Sequence, residues 1–327
     1  MSKAEDQTAR IVLITKTRTQ NQGNQALSIA WRDFLASQYE GSSVHLVERA
    51  PGFLKRYTLS GLDRGNDLLP AFDRLAQTLL ERRSPAISED PGRWDVLHDP
   101  DQQQVVRFLA LRKALRIRSR LAALNIGSSR YFERLAYICG AQLVVVNPAG
   151  EFQRNATDTA LHYLLETRCA QLAGCRTAFV NLSFEIEDES LVRIARHVFK
   201  NCDVLEFRDR ESADYFARCG GETIPIVLPD AALLSRIDRT SETKTEGLAL
   251  AINALQVRSR GLSDSWDEIV GHLCERGPVV LTSNEWTTDF PFWRKYLHKD
   301  GVNAAGRLLD FSDYARFLGG LDRKSVV

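Results

Sequence analysis

Arg208, Asp209 and Ser212 form the first group whose types and spacing could do chemistry. Val204-Leu205-Glu206-Phe207 has strand character and ends in Arg208-Asp209-Arg210-Glu211-Ser212, where a helical pattern through Tyr215, Phe216 and Cys219 begins. A guanidinium at a strand's carboxyl end, beside a helix N-terminus, can hold a carboxylate or phosphate with two parallel hydrogen bonds. Asp209 is placed to orient it and Ser212 to cap the helix; a surface ion pair is the alternative for Arg208. Glu151 is the second candidate. The continuous apolar run Leu143-Val144-Val145-Val146 reads as a central parallel strand buried on both faces and enters Asn147-Pro148-Ala149-Gly150-Glu151-Phe152. A carboxylate delivered there suits acid/base work or binding of a hydroxyl; the alternative is a capping or surface carboxylate.

A third place lies between Thr15 and Trp31. Ile11-Val12-Leu13-Ile14 enters a polar turn with Gly23 between Asn21 and Asn24, and a helical face of Leu27, Ala30, Trp31, Phe34 and Leu35 leaves it. Unpaired N–H groups and the positive end of a helix dipole at such a turn attract a phosphate or carboxylate. The turn is neither GxGxxG nor a P-loop, and a purely structural connection explains it equally well.

The elements that must position these residues alternate strand and helix. Strands are expected at 11–14, 43–48, 143–147, 177–183, 204–207 and 224–228, and helices near 158–173, 187–200 and 209–219. Residues 51–130 read as an insertion with one helix near 71–82 and a basic helical stretch over 102–124. That stretch carries Arg107, Arg112, Lys113, Arg116, Arg118 and Arg120. It suits an anionic surface such as phospholipid head groups, or else is a solvated helix face. Polar residues 235–246 read as a linker, and a second α/β unit follows with strands at 248–253 and 278–282 around a helix at 266–276. The expected domains are therefore 1–235 and 236–327.

The 327 residues carry a net charge of +1, which argues against a nucleic-acid binder. No apolar run approaches the ~20 residues of a membrane span. The polar first ten residues lack a signal-peptide core, so the expected location is cytoplasmic. Six cysteines without a CxxC pair read as reduced, mostly buried thiols, and six histidines without HxxxH or HExxH spacing predict no metal site.

Taken together, four stretches in this order resemble the polysaccharide pyruvyl transferase family. They are Asn21-Gln22-Gly23-Asn24-Gln25-Ala26-Leu27, Asn147-Pro148-Ala149-Gly150-Glu151, Phe207-Arg208-Asp209-Arg210-Glu211-Ser212 and Leu228-Pro229-Asp230. The resemblance implies two Rossmann-like α/β domains in a GT-B-like arrangement. It also implies transfer of an enolpyruvyl-derived group from phosphoenolpyruvate to sugar hydroxyls, as a pyruvate ketal, with no cofactor beyond the donor substrate. The acceptor would be a cell-surface polysaccharide or a lipid-linked oligosaccharide precursor, met in the cytoplasm or at the inner face of the membrane through 102–124. Arg208 would contact the donor, while the acid/base role of Glu151 is read from its position at the strand end. Asn21, Gly23, Asn24, Gln25, Asn147, Gly150, Asp209, Arg210, Ser212 and Asp230 would bind substrate. Family members carry Arg-x-His in the second domain after a helix like Asp313–Leu321. The tail Asp322-Arg323-Lys324-Ser325-Val326-Val327 holds none, so the second domain is expected to be truncated, with its sheet unfinished. A nucleotide-sugar glycosyltransferase and an inactive binding protein are the alternative readings.

Overall fold

The computed structural model describes residues 9–16, 21–48, 54, 57–62, 67–83, 128–153, 157–234, 245–251, 254, 257, 261–283, 286–304, 314 and 321–324. The basic stretch 102–124 lies outside them. The described residues fall into two compact units, one drawn from 1–18 and 28–233, the other from 19–27 and 234–327.

In the first unit, β1 (Arg10–Thr15), β2 (Ser43–Glu48), β3 (Leu143–Val146), β4 (Arg176–Leu182), β5 (Val204–Phe207) and β6 (Ile226–Val227) form a parallel sheet in the order β2-β1-β3-β4-β5-β6. Its helices are α1 (Gln22–Gln38, of which 28–38 belong to this unit), α2 (Leu59–Leu62), α3 (Leu68–Glu81), α4 (Ser128–Cys139), α5 (Thr157–Leu172), α6 (Glu189–Phe199) and α7 (Arg210–Arg218). The strand order reverses between β1 and β3. Right-handed crossovers therefore send α1 to one face of the sheet and α5–α7 to the other. The apolar strand runs explain the sheet: Val12, Ile14, Val144 and Val146 are fully buried among residues of α3–α7. Ile11, Leu13 and Val145 alternate to the opposite face.

Three expectations change here. Phe34 is 40% exposed and lies edge-on to Trp31 at 5.5 Å, shielding the indole instead of entering the core. The strand expected over 224–228 shrinks to two residues because it is the sheet edge, bonded on one side only, with Ile224 at 92% exposure. Helix α4 was not anticipated as a helix. Its Tyr131, Leu135 and Ile138 face the core, and Arg134 is buried against Glu166 of α5 and donates to the Glu48 carbonyl at 2.6 Å.

The second unit holds β7 (Thr245–Ala251), α8 (Ser263–Cys274), β8 (Val279–Thr282), α9 (Trp286–Trp293), β9 (Val302–Ala304) and β10 (Leu321–Lys324), with parallel sheet order β10-β7-β8-β9. Trp293 and Tyr296 are buried with Leu250, Val270 and Leu281 in its core. Thr245 and Glu246, read as linker, are strand. So are Leu321–Lys324, read as a helix end and tail: pairing runs through the backbone, so a polar segment can join the sheet beside β7.

Candidate functional site

All six strands of the first unit's parallel sheet end on the same edge, which is where ligands of open α/β sheets bind. The ladder continues past the strands and fixes the loops. Asn147 N–H donates to the Ile14 carbonyl (2.9 Å), Ser183 N–H to Ala149 (3.1 Å), Arg208 N–H to Leu182 (3.1 Å) and Leu228 N–H to Phe207 (3.1 Å). Beneath them sits a set of buried rings. Phe152, Phe184 and Phe207 are each within 1% of complete burial, and the Phe184 centroid lies 6.4 Å from Phe152 and 6.1 Å from Phe207. Each ring adjoins a polar residue in sequence: Glu151, Ser183 and Arg208. The aromatic core thus sets where those polar side chains emerge.

Arg208 is the centre of the edge. Its Nε donates to Ser183 Oγ and its Nη1 to Asp230 Oδ2 at 3.2 Å. Its Nη2 lies 3.9 Å from where a Cβ on Gly150 would stand, so the guanidinium faces the Pro148–Glu151 loop. Asp209 and Ser212 do different jobs from those the sequence suggests. Asp209 Oδ2 is 4.0 Å from Arg208 Nε, while Asp209 Oδ1 accepts the Ser212 N–H at 2.7 Å. Asp209 is therefore the cap of α7, and Asp230 orients the arginine. Ser212 is buried, and its Oγ accepts the Phe184 N–H at 3.0 Å. Arg210, the first residue of α7, is exposed.

Glu151 is ion-paired to Lys16, the residue that follows β1, at 2.6 Å. This pair spans the ends of β1 and β3, the point where the strand order reverses. Behind it, Asn147 Nδ2 donates to Thr15 Oγ1 at 3.1 Å, and Thr15 Oγ1 lies 3.0 Å from Ser28 Oγ of α1. Asn147 Oδ1 is buried without a hydrogen-bond partner, which leaves an acceptor for a ligand or water.

The β4–β5 register shifts between Phe179 and Leu182, so Val180 and Asn181 together oppose Glu206 in a bulge. Asn181 takes the left-handed conformation, φ 54°, which asparagine tolerates better than most residues. Its Oδ1 accepts the Ala231 N–H at 2.9 Å, and its Nδ2 is buried with no partner. Burial pushes the Glu206 carboxyl up to about 7, against a hydrogen bond from the Asn181 N–H that favours ionisation; the Asp230 charge adds to the rise.

Residues 19–27, which include the turn at Asn21, belong to the second unit. Asn21 Oδ1 accepts the Asn24 N–H at 3.2 Å and its carbonyl accepts the Gln25 N–H at 3.2 Å, closing the first turn of α1. A Cβ on Gly23 would come within 3.2 Å of Asn21 Oδ1.

Lys16, Asn181, Ser183 and Glu206 escaped the sequence reading. Lys16 and Ser183 carry only the signal of standing one residue past a strand. Glu206 carries a clearer one, a carboxylate inside a four-residue strand. Among the described residues no group of three or more His, Cys, Asp or Glu could hold a metal ion, and no helix is long and apolar enough to cross a membrane.

Solved structures similar to the chain include S. aureus MnaA with UDP (TM-score 0.45, 12% identity, 98% of this chain and 74% of that one). A UDP-N-acetylglucosamine 2-epimerase from Rickettsia bellii (0.43, 11%, 98% and 74%) also matches, as does an α-glucosyltransferase in complex with UDP-glucose and DNA containing an abasic site (0.46, 10%, 97% and 72%). No curated protein matches the sequence at a significant level. The family model for polysaccharide pyruvyl transferases matches residues 21–299. These residues take in all four of the ordered motifs, and the chain belongs to the polysaccharide pyruvyl transferase family.

Proposed function

We propose that the chain transfers an enolpyruvyl-derived group from phosphoenolpyruvate to hydroxyls of a sugar, forming a pyruvate ketal and releasing phosphate. The observation that carries this reading is Arg208. Its guanidinium is held by Ser183 and Asp230 and turned toward the Gly150–Glu151 loop at the strand ends. A donor bearing both a phosphate and a carboxylate needs such a fixed fork. The Lys16–Glu151 pair beside it supplies a carboxylate for general base work. In the reaction, one sugar hydroxyl adds to C2 of the enol while C3 gains a proton and becomes a methyl group. A second hydroxyl then closes on C2 as the C2–O bond to phosphate breaks. Of the two hydroxyl protons, one balances the methyl group and one leaves with phosphate. Glu151 accepts the first. The unpartnered Asn147 Oδ1 and Asn181 Nδ2 are further binding groups at the same edge.

The acceptor is a cell-surface polysaccharide or its lipid-linked precursor, reached from the cytoplasm, with the cationic stretch 102–124 against anionic head groups. The test is phosphate release from phosphoenolpyruvate with a sugar acceptor. Arg208→Ala should lower kcat/KM by about two to three orders of magnitude, as expected for removal of a charge-stabilising group. Full activity in that variant, or stabilisation by a nucleotide sugar and not by phosphoenolpyruvate, would count against the proposal.

A further inference from the structure

Glu206 is 3% exposed inside β5. Its neighbours Leu205 and Phe207 belong to the aromatic core, so alternation turns Glu206 to the other face, the one toward which Arg208 is set two residues on. The bulge sets Val180 and Asn181 opposite Glu206, and the Asn181 N–H favours the charged form of its carboxyl. The Asn181 side chain accepts from Ala231 at 2.9 Å and so holds the segment that carries Asp230. Asp230 in turn accepts from Arg208 Nη1 at 3.2 Å. Of the groups that act on Glu206, β4 contributes the neutral Asn181 N–H and the segment after β6 contributes Asp230, the charge whose field reaches it; Arg208 stands two residues on along the same chain, and Asp230 is the charge the two share.

We propose that Glu206 is a positioning residue for the anion site at Arg208. As a neutral acid it leaves Asp230 and the more distant Asp209 as the carboxylates beside the guanidinium; once ionised it adds a third negative charge to the cluster. This deepens the pyruvyl transferase reading and rests on it. Because burial raises the carboxyl to about 7, the change falls in the neutral range. Below that pH the acid is neutral and the anion site is at full strength; as pH rises through it, donor affinity falls.

The experiment is phosphoenolpyruvate binding to the whole chain at pH 6 and pH 8.5, wild type against Glu206→Gln. Comparing the two proteins at each pH cancels titration of the donor's own phosphate. Equal affinity at pH 6, and binding by Glu206→Gln roughly threefold tighter or more at pH 8.5, is the expected result. The same ratio at both pH values overturns it. Asp230→Asn supplies a second readout that does not need the glutamine variant to fold. It should lower the midpoint of the Glu206 carboxyl ¹³C titration, and an unchanged midpoint overturns the proposed coupling. If neither protein binds phosphoenolpyruvate at any pH, the functional reading fails, and the Arg208 ¹⁵Nε signal decides the inference. A pH response present in wild type and lost in Glu206→Gln supports it, and identical responses refute it.

Discussion

Asp209 and Asp230 are both carboxylates within 4.0 Å of Arg208, and the geometry gives them separable jobs. Asp209 has extended backbone angles, φ −150° and ψ 155°, and its side chain accepts the Ser212 N–H at 2.7 Å. Loss of such a cap costs about 1 kcal/mol, a fall in Tm of about 2–4 °C for a unit of this size. Serine can still cap, so Asp209→Ser should recover most of what Asp209→Ala loses. Asp230 has a side chain 38% exposed, and ion pairs that open to water contribute about 0.2–1 kcal/mol. Asp230→Asn should therefore leave Tm nearly unchanged. Its cost falls on Arg208, which keeps the Ser183 contact but loses the charged one. An arginine no longer held in place loses its aimed charge-assisted hydrogen bond to the donor, worth about 1.5 kcal/mol and more than the gain from removing one negative charge, so KM for phosphoenolpyruvate should rise about tenfold. Differential scanning calorimetry and steady-state phosphate release read the two effects separately. The reasoning is wrong if Asp209→Ala raises KM as much as Asp230→Asn does and Asp209→Ser fails to restore it. It is equally wrong if Asp230→Asn lowers Tm by the cap amount while KM stays put.

Two further outcomes follow from buried groups. Arg134→Met leaves the fully buried Glu166 carboxylate without its partner and should cost about 3–5 kcal/mol, whereas Arg134→Met with Glu166→Leu should regain most of it; urea melts of the single and double variants check this. Burial pushes the Cys139 thiol up to about 12 and the Cys169 thiol well above its usual value. Iodoacetamide at pH 8 should therefore modify them only as fast as the protein opens, and mass-resolved labelling faster than unfolding would contradict their placement.

What the sequence made legible was the set of strand ends. A continuous apolar run such as Leu143–Val146 announces a central parallel strand, and the polar residue after it must surface at the binding edge whatever the loop does. Arg208, Gly150, Glu151 and Asp230 were found that way, and the ladder bonds show why: the loop residues are still hydrogen-bonded in register. Pairing between side chains was not legible. Asp209 and Ser212 both suit a helix cap, and only the backbone angles decide between them. Asp230 reaches Arg208 across 22 residues, and Lys16 reaches Glu151 across 135, separations that no local pattern encodes. Backbone pairing hid other features as well. Leu321–Lys324 has no apolar alternation to mark it as a strand, and the bulge at Val180–Asn181 breaks no periodicity in the one-dimensional text.

Glu206 shows what a local anomaly is worth. A carboxylate between Leu205 and Phe207 contradicts the strand pattern around it, and such a charge is kept inside a sheet only where something compensates for its burial. Here the compensation comes from the bulged Asn181, whose left-handed backbone aims an N–H at the carboxyl while its side chain secures the segment bearing Asp230. Straightening the bulge would free Asn181 from its strained φ but would also leave Glu206 without its donor and Asp230 without its anchor. The strain, the buried acid and the placement of Arg208 are therefore one arrangement, and a change to any of the three should be read first at the anion site.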